Sequence, residues 1–224
     1  MPGMPLEVAI ESLKRGEFVL VHDSEGRENE VDMVAAAGLV TPEHIARMRL
    51  HGGGLICLAI GPGLASALGL RYMHEMLSES PGFPRGMIMG LAPYGDRSTF
   101  SITVNHHRTY TGVTDRDRAL TISEMAGLHG AADPRAEFVS SFRTPGHVPL
   151  LMASGGLLEE RRGHTEMSVY LAGAAGLAPA AAICEMMDAE TYTALSADKA
   201  RRYAQDNGIP FVDGRELIEY AGVR

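Results

Sequence analysis

Tryptophan is absent and cysteine nearly so: Cys57 and Cys184 are the only two in 224 residues. Two thiols build neither a disulfide framework nor a cysteine-rich zinc site, and they suit a reducing cytoplasm. Positive charge is also scarce, with 20 Lys and Arg against 28 Asp and Glu and a net charge of −8. Nonspecific nucleic-acid binding runs on Lys and Arg contacts, so nucleic acid is not an expected partner, although a local basic pocket for a small anion is still open. No stretch reaches the roughly 18 unbroken apolar residues of a membrane helix. The opening Met1-Pro2-Gly3-Met4-Pro5-Leu6-Glu7 lacks the basic run and apolar core of a signal peptide. There is no internal repeat and no low-complexity tract.

What is present is ordinary globular material, 45% hydrophobic and 21% charged, long enough to bury a full core in one large domain. Apolar residues at helical spacing predict a helix over Leu6 to Lys14, stopping before Gly16. Phe18 to Val21 and Val31 to Ala37 read as strands. Thr41-Pro42 reads as an N-cap and first helical position of a helix to about Leu50, ended by Gly52-Gly53-Gly54. Leu55 to Ile60 is a strongly apolar strand. Pro81 to Tyr94 is an irregular connection whose Phe83, Met87, Ile88, Met89 and Leu91 want burial. Phe100 to Asn105 alternates as a strand with Phe100, Ile102 and Val104 on one face. Further on come a helix from Asp117 to about Leu128, a strand Val148 to Met152, a helix His164 to Ala174 and a strand Ala181 to Met187. A helix Ala197 to Gln205, a strand Pro210 to Val212 and a helix Arg215 to Tyr220 complete an interleaved α/β or mixed α+β chain.

Six places could carry chemistry. Between two apolar runs, Asp23-Ser24-Glu25-Gly26-Arg27-Glu28-Asn29-Glu30-Val31-Asp32 crowds five carboxylates around one arginine. Flanking strands would hold these charges together, and a hard divalent cation such as Mg²⁺ would relieve their repulsion; a solvated charged loop is the plain alternative. Arg161-Arg162-Gly163-His164-Thr165 sits at a predicted helix N-terminus, where free N–H groups and the helix dipole attract anions, or is simply a basic turn. His147 follows a Pro-Gly turn, as a base, a metal ligand or a hydrogen-bonded polar residue. Glu185 interrupts an apolar strand, so its pKa should rise unless it is paired. Thr109 to Asp117, with Thr111 inside it, is rich in hydroxyls and could line a polyol or phosphate site or cap a helix. Cys57 follows the Gly-rich run, and a small buried hydrophobe is the commoner role for such a residue.

In order and spacing these segments closely resemble 3,4-dihydroxy-2-butanone 4-phosphate synthase, from about residue 5 to 220. The resemblance rests on Arg27-Glu28-Asn29-Glu30-Val31-Asp32, the Gly-rich run into Leu55-Ile56-Cys57, Thr111 to Arg118, Arg143 to His147, Arg161 to Glu166, and Ile183 to Met187. Ile102 to His107 is similar to the archaeal branch, where bacterial members more often carry Asp at position 105.

The resemblance implies a single-domain mixed sheet with surrounding helices over residues 1–224. It implies conversion of D-ribulose 5-phosphate to the butanone phosphate and formate in riboflavin biosynthesis, with Mg²⁺ or Mn²⁺, two per site, and no organic cofactor. Glu28 and His164 become metal ligands, contributed by different subunits of a homodimer. His147, Glu185, Glu30, Asp32 and Cys57 fall on catalytic positions, without a nucleophilic role for the thiol. Arg27, Glu28, Asp32, Thr111, Arg161, Arg162, Gly163, His164, Thr165 and Glu185 fall on substrate positions. The acidic loop becomes a flexible lid, stiffened by Val31 where many members have glycine. A fused GTP cyclohydrolase II domain needs three zinc-binding cysteines and is not expected. The rivals are a Mg²⁺-dependent sugar-phosphate isomerase or epimerase, which releases no formate, and a non-catalytic sugar-phosphate-binding paralogue, which makes no product.

Overall fold

A computed structural model describes residues 6–88 and 90–223; Met1 to Pro5, Met89 and Arg224 lie outside the described residues. Most of the expected strands form: β1 (Val19–His22), β2 (Val31–Ala36), β3 (Cys57–Ile60), β4 (Phe100–His106), β5 (Phe142–Met152), β6 (Ala180–Glu185) and β9 (Phe211–Asp213). They make one mixed sheet in the order β4-β5-β3-β6-β2-β1-β9, and β7 (Met187–Asp188) pairs with β8 (Thr193–Ala194) beside it. Strands β1, β2 and β3 are buried at every position. Apart from His22 and Asp32, their sequence is apolar, as a sheet covered on both faces requires.

The helices are α1 (Leu6–Lys14), α2 (Pro42–Arg47), α3 (Pro62–Leu68), α4 (Met73–Glu79), α5 (Asp115–Gly127), α6 (Pro134–Ser141), α7 (His164–Ala174), α8 (Ala197–Asn207) and α9 (Gly214–Tyr220). Two apolar clusters divide the core. One joins Ala9, Leu13, Cys57, Ala59, Met167, Leu171, Ile183 and Leu217, packing α1, α7 and α9 on one face. The other joins Ile45, Leu58, Ile122, Met125, Leu150, Cys184 and Ala200, packing α2, α5 and α8 on the opposite face. Burying one such Leu or Ile contributes about 1.5–3 kcal/mol. Cys57 and Cys184 are both free and lie in different clusters, so they cannot pair. Among the described residues no helix is long and apolar enough to cross a membrane.

Three expectations are corrected. Phe100 packs with the first cluster and Ile102 and Val104 with the second, because the β4 register shifts between Phe100 and Thr103. The Pro-Gly turn before His147 lies inside β5, where the register jumps from Val148 to Arg143 and bulges the intervening residues out of the ladder. In the irregular segment, Met87 and Leu91 are exposed, while Met89 is among the residues outside the description.

Candidate active site

Strand pairing builds the floor. Antiparallel β2 and β6 set Asp32 opposite Glu185 at one end of the sheet. Residues alternate across a strand. Asp32 and Glu185 therefore share the face of Cys57 and Ile183, the face that α7 covers. The N-terminus of α7 and the β1–β2 loop meet over this end. There His164 Nδ1 lies 3.0 Å from Glu28 Oε2, Nε2 lies 3.2 Å from the Glu30 carbonyl, and Asp32 Oδ1 is 3.8 Å from Nε2. A cavity of about 260 Å³ opens beside them, lined by Glu28, Asp32, Arg161, His164, Thr165 and Glu185 with Phe100, Leu151 and Ile183 as an apolar wall.

The acidic loop is braced. Asp23 is buried and its carboxylate accepts the backbone N–H groups of Glu28 (2.9 Å) and Glu30 (3.1 Å) and an Arg27 N–H at 3.1 Å. Asn29, at φ 55°, faces buried His22 across a 3.0 Å hydrogen bond. The expected loose lid is therefore a turn held from inside. Arg27 spans Asp23, Glu28 and Asp96 and stacks over Tyr94, 5.1 Å from its ring centroid. Arg161 pairs with buried Glu166 at 2.6 Å, and Glu166 also takes the Ser154 N–H. Both guanidiniums lie against the α-carbon of Gly163, where a Cβ would stand 2.8 Å from Arg27 Nη2, so a side chain at this N-cap would push both arginines out of their ion pairs.

The electrostatics follow from that packing. Burial alone would lift the Glu28 carboxyl, but the His164 hydrogen bond and the Arg27 charge outweigh it and hold it at about 2. Burial works against charge on His164 too, yet Asp32 and Glu28 raise it to about 9. Both ring nitrogens face acceptors, consistent with a doubly protonated ring. Asp32 is pushed up to about 7, chiefly by burial. Burial and the neighbouring Glu28 and Glu185 charges raise Glu30 as well.

Several expectations change here. Glu28 and His164 meet within one chain, not across two, because the β1–β2 loop and α7 abut at the same sheet end. Glu30 reaches His164 through its backbone carbonyl, not its carboxylate. Glu185 ends β6 half-buried and accepts the Leu55 N–H at 2.7 Å, rather than sitting inside an apolar run. Cys57 is buried, and burial with the Glu185 and Asp32 charges pushes its thiol far up, so it stays protonated beneath the carboxylates. Exposed Arg162 does not line the cavity. Nor do His147 and Thr111: His147 is exposed and bonded to Asn105, and Thr111 to Asp117 at 3.3 Å. Tyr94, Asp96 and Thr99 enter the site without having been foreseen, while Asp23 and Glu166, expected only as members of their segments, gain individual roles.

A divalent cation fits the donor set. Ligand atoms of Asp23, Glu28 and His164 lie within 4.8 Å of one another, and buried Asp32 Oδ1 has no hydrogen-bond partner. Carboxylate oxygens with one imidazole suit a hard or borderline ion. A larger hollow of about 380 Å³ near Glu17, Glu43 and His44 lacks this convergence, because His44 is committed to Thr41 and the Gly16 carbonyl.

Residues 7–220 match the model of the family described as 3,4-dihydroxy-2-butanone 4-phosphate synthase. The chain belongs to that family. A 3,4-dihydroxy-2-butanone 4-phosphate synthase of Methanothermobacter thermautotrophicus is 46% identical over 220 residues, covering 96% of this chain and 94% of that one. Another, from Archaeoglobus fulgidus, is 44% identical over 97% of this chain and 94% of its own. Among solved structures, a cation-free 3,4-dihydroxy-2-butanone 4-phosphate synthase superposes with a TM-score of 0.80 at 30% identity, covering 98% of both chains. A synthase solved in complex with two magnesium ions gives 0.77 at 32% identity, covering 96% of this chain and 95% of that one.

Proposed function

We propose that the chain is a 3,4-dihydroxy-2-butanone 4-phosphate synthase, converting D-ribulose 5-phosphate to L-3,4-dihydroxy-2-butanone 4-phosphate and formate in riboflavin biosynthesis. The observation that carries this reading is one cavity joining a carboxylate–histidine cluster to Arg161 and Thr165 at a helix N-terminus. Arg161 and Thr165 take the phosphate, with the free N–H groups of the first turn of α7. Asp32 has a carboxyl pushed up to about 7, which suits a group that takes and returns a substrate proton at Oδ1 near neutral pH. Glu185, its cross-strand neighbour, faces the same cavity. Phe100, Leu151 and Ile183 keep water from the reacting carbons.

Glu28 and His164, with Asp23 beside them, would hold Mg²⁺ or Mn²⁺, two ions per site. When bound, the metal supplies positive charge that stabilises negative charge growing on substrate oxygens. Because the His164 ring is held protonated in its absence, binding must release that proton. His147 and Thr111, exposed and outside this chain's cavity, would reach substrate from a second copy of the chain, making the working unit a homodimer with shared sites; the cytoplasm is its proposed compartment. A formate assay with ribulose 5-phosphate tests the reading. Formate in step with substrate loss supports it, and isomerised pentose phosphate without formate replaces it with an isomerase.

A further inference from the structure

Two hydrogen bonds join Asn105 to His147, and the first determines the second. The backbone N–H of His147 donates to Asn105 Oδ1 at 2.8 Å, and Asn105 Nδ2 lies 3.1 Å from His147 Nδ1. A backbone N–H only donates, so the amide oxygen must face it, and turning the amide over would aim two donors at each other. The NH₂ group then faces the ring, and it too only donates. Nδ1 is therefore the acceptor, and a neutral imidazole accepting at Nδ1 carries its proton on Nε2. The amide has no room to swing. Asn105 is 3% exposed on β4, and Gly112 presses so close that a Cβ there would stand 2.5 Å from Asn105 Cγ. Nε2 has no hydrogen-bond partner among the described residues, and His147 is exposed, so that N–H is available to an incoming oxygen.

We propose that Asn105 is a positioning residue that holds His147 in the Nε2–H tautomer, so that His147 meets substrate as a neutral hydrogen-bond donor to an oxygen and not as a proton-abstracting base. The proposal rests on the reading that His147 serves the synthase reaction. A neutral imidazole so placed polarises a carbonyl or enediol oxygen while keeping its own proton. Proton abstraction is left to the carboxylates Asp32 and Glu185.

Long-range ¹H–¹⁵N correlation spectra of the full chain labelled with ¹⁵N-histidine read the tautomer, with His147 assigned by its disappearance in His147→Gln. The wild-type ring should show Nε2–H. Asn105→Asp keeps the bond to the backbone N–H but presents an acceptor to Nδ1, so the ring should switch to Nδ1–H. A wild-type ring in the Nδ1–H form, or a ring unmoved by Asn105→Asp, overturns the proposal. His147→Gln keeps an N–H donor but cannot act as a base, so it should retain more activity than His147→Ala; equal losses refute the donor role. The spectra do not depend on turnover. A wild-type chain with the Nε2–H ring and no formate release therefore refutes the synthase reading and not the tautomer.

Discussion

The two ends of the chemistry are built from different materials. Around His164, seven ionisable side chains (Asp23, Arg27, Glu28, Asp32, Asp96, Arg161 and Glu166) interlock through charge, mostly out of water. Around His147, the Asn105 amide, the Thr103 hydroxyl that takes the Gly146 N–H, and backbone groups do the holding, and the histidine itself is exposed. The first region has the charge and the cavity to hold a cation and a phosphate unaided. The second has hydrogen-bonding direction but lies outside the cavity of the first, and becomes useful only when something is brought to it. Charge density marks where ligand is gripped; neutral, directed hydrogen bonds mark where the bond order of the ligand is adjusted.

The comparison breaks most completely on metal removal. Chelation with EDTA should abolish formate release and added Mg²⁺ or Mn²⁺ restore it, whereas turnover that survives thorough chelation removes the cation from the scheme. Next in size, Glu28→Ala or His164→Ala should lower kcat on the order of 10³-fold or more, several kcal/mol of transition-state stabilisation, with the native circular dichroism kept. Near-normal turnover in either variant would cancel the ligand assignment. The division between the two regions is tested by mixing His164→Ala with His147→Ala. If each site takes one histidine from each subunit, random reassortment into dimers restores about a quarter of wild-type activity, and no recovery means that both histidines act from one chain.

Smaller effects sharpen the contrast in stability. Glu166→Ala removes a fully buried partner of Arg161 and should destabilise the fold by about 3 kcal/mol in denaturant titration, and a change under a third of that would show Asp96 compensating. The pH response of chelated protein follows from the His164 and Asp32 shifts. His164 is raised from 6.5 to about 9, so its contribution is full below 6.5 and is lost as pH rises through 9. Asp32, raised from 3.8 to about 7, acts in the same direction but between those two values, so the fall above pH 7 belongs to His164. The melting temperature should therefore fall between pH 6.5 and 9 without metal and fall less with Mg²⁺ bound. A profile equally steep in both would mean that the shifts belong to other groups.

Much of this was legible from sequence because the signals were local. Helix α1 shows its apolar spacing, α7 its Gly163 start, and Glu28 and His164 stand in short, charged, unusual segments. The short helices α3, α4 and α6 carried weaker periodicity; α4 and α6 have no fully buried residue to set a stripe. Asp96 and Tyr94 were invisible for a different reason. They sit at the end of a Pro- and Gly-rich connection and gain meaning only from Arg27 and Arg161, which lie far away in sequence. Asn105 read as a lost carboxylate, and only the direction of the His147 N–H gives its amide a task.

Glu28 and His164 stand 136 positions apart, joined through the pairing of β2 with β6. That separation makes the site a late product of folding, since a loop of this length must close before either side chain finds the other. A partly folded chain with β1 and β2 zipped has Asp23 and Glu28 in place but still lacks His164. Metal affinity in this enzyme thus doubles as a checkpoint of assembly: ions select molecules whose central sheet has already closed, and by mass action they draw the folding equilibrium after them.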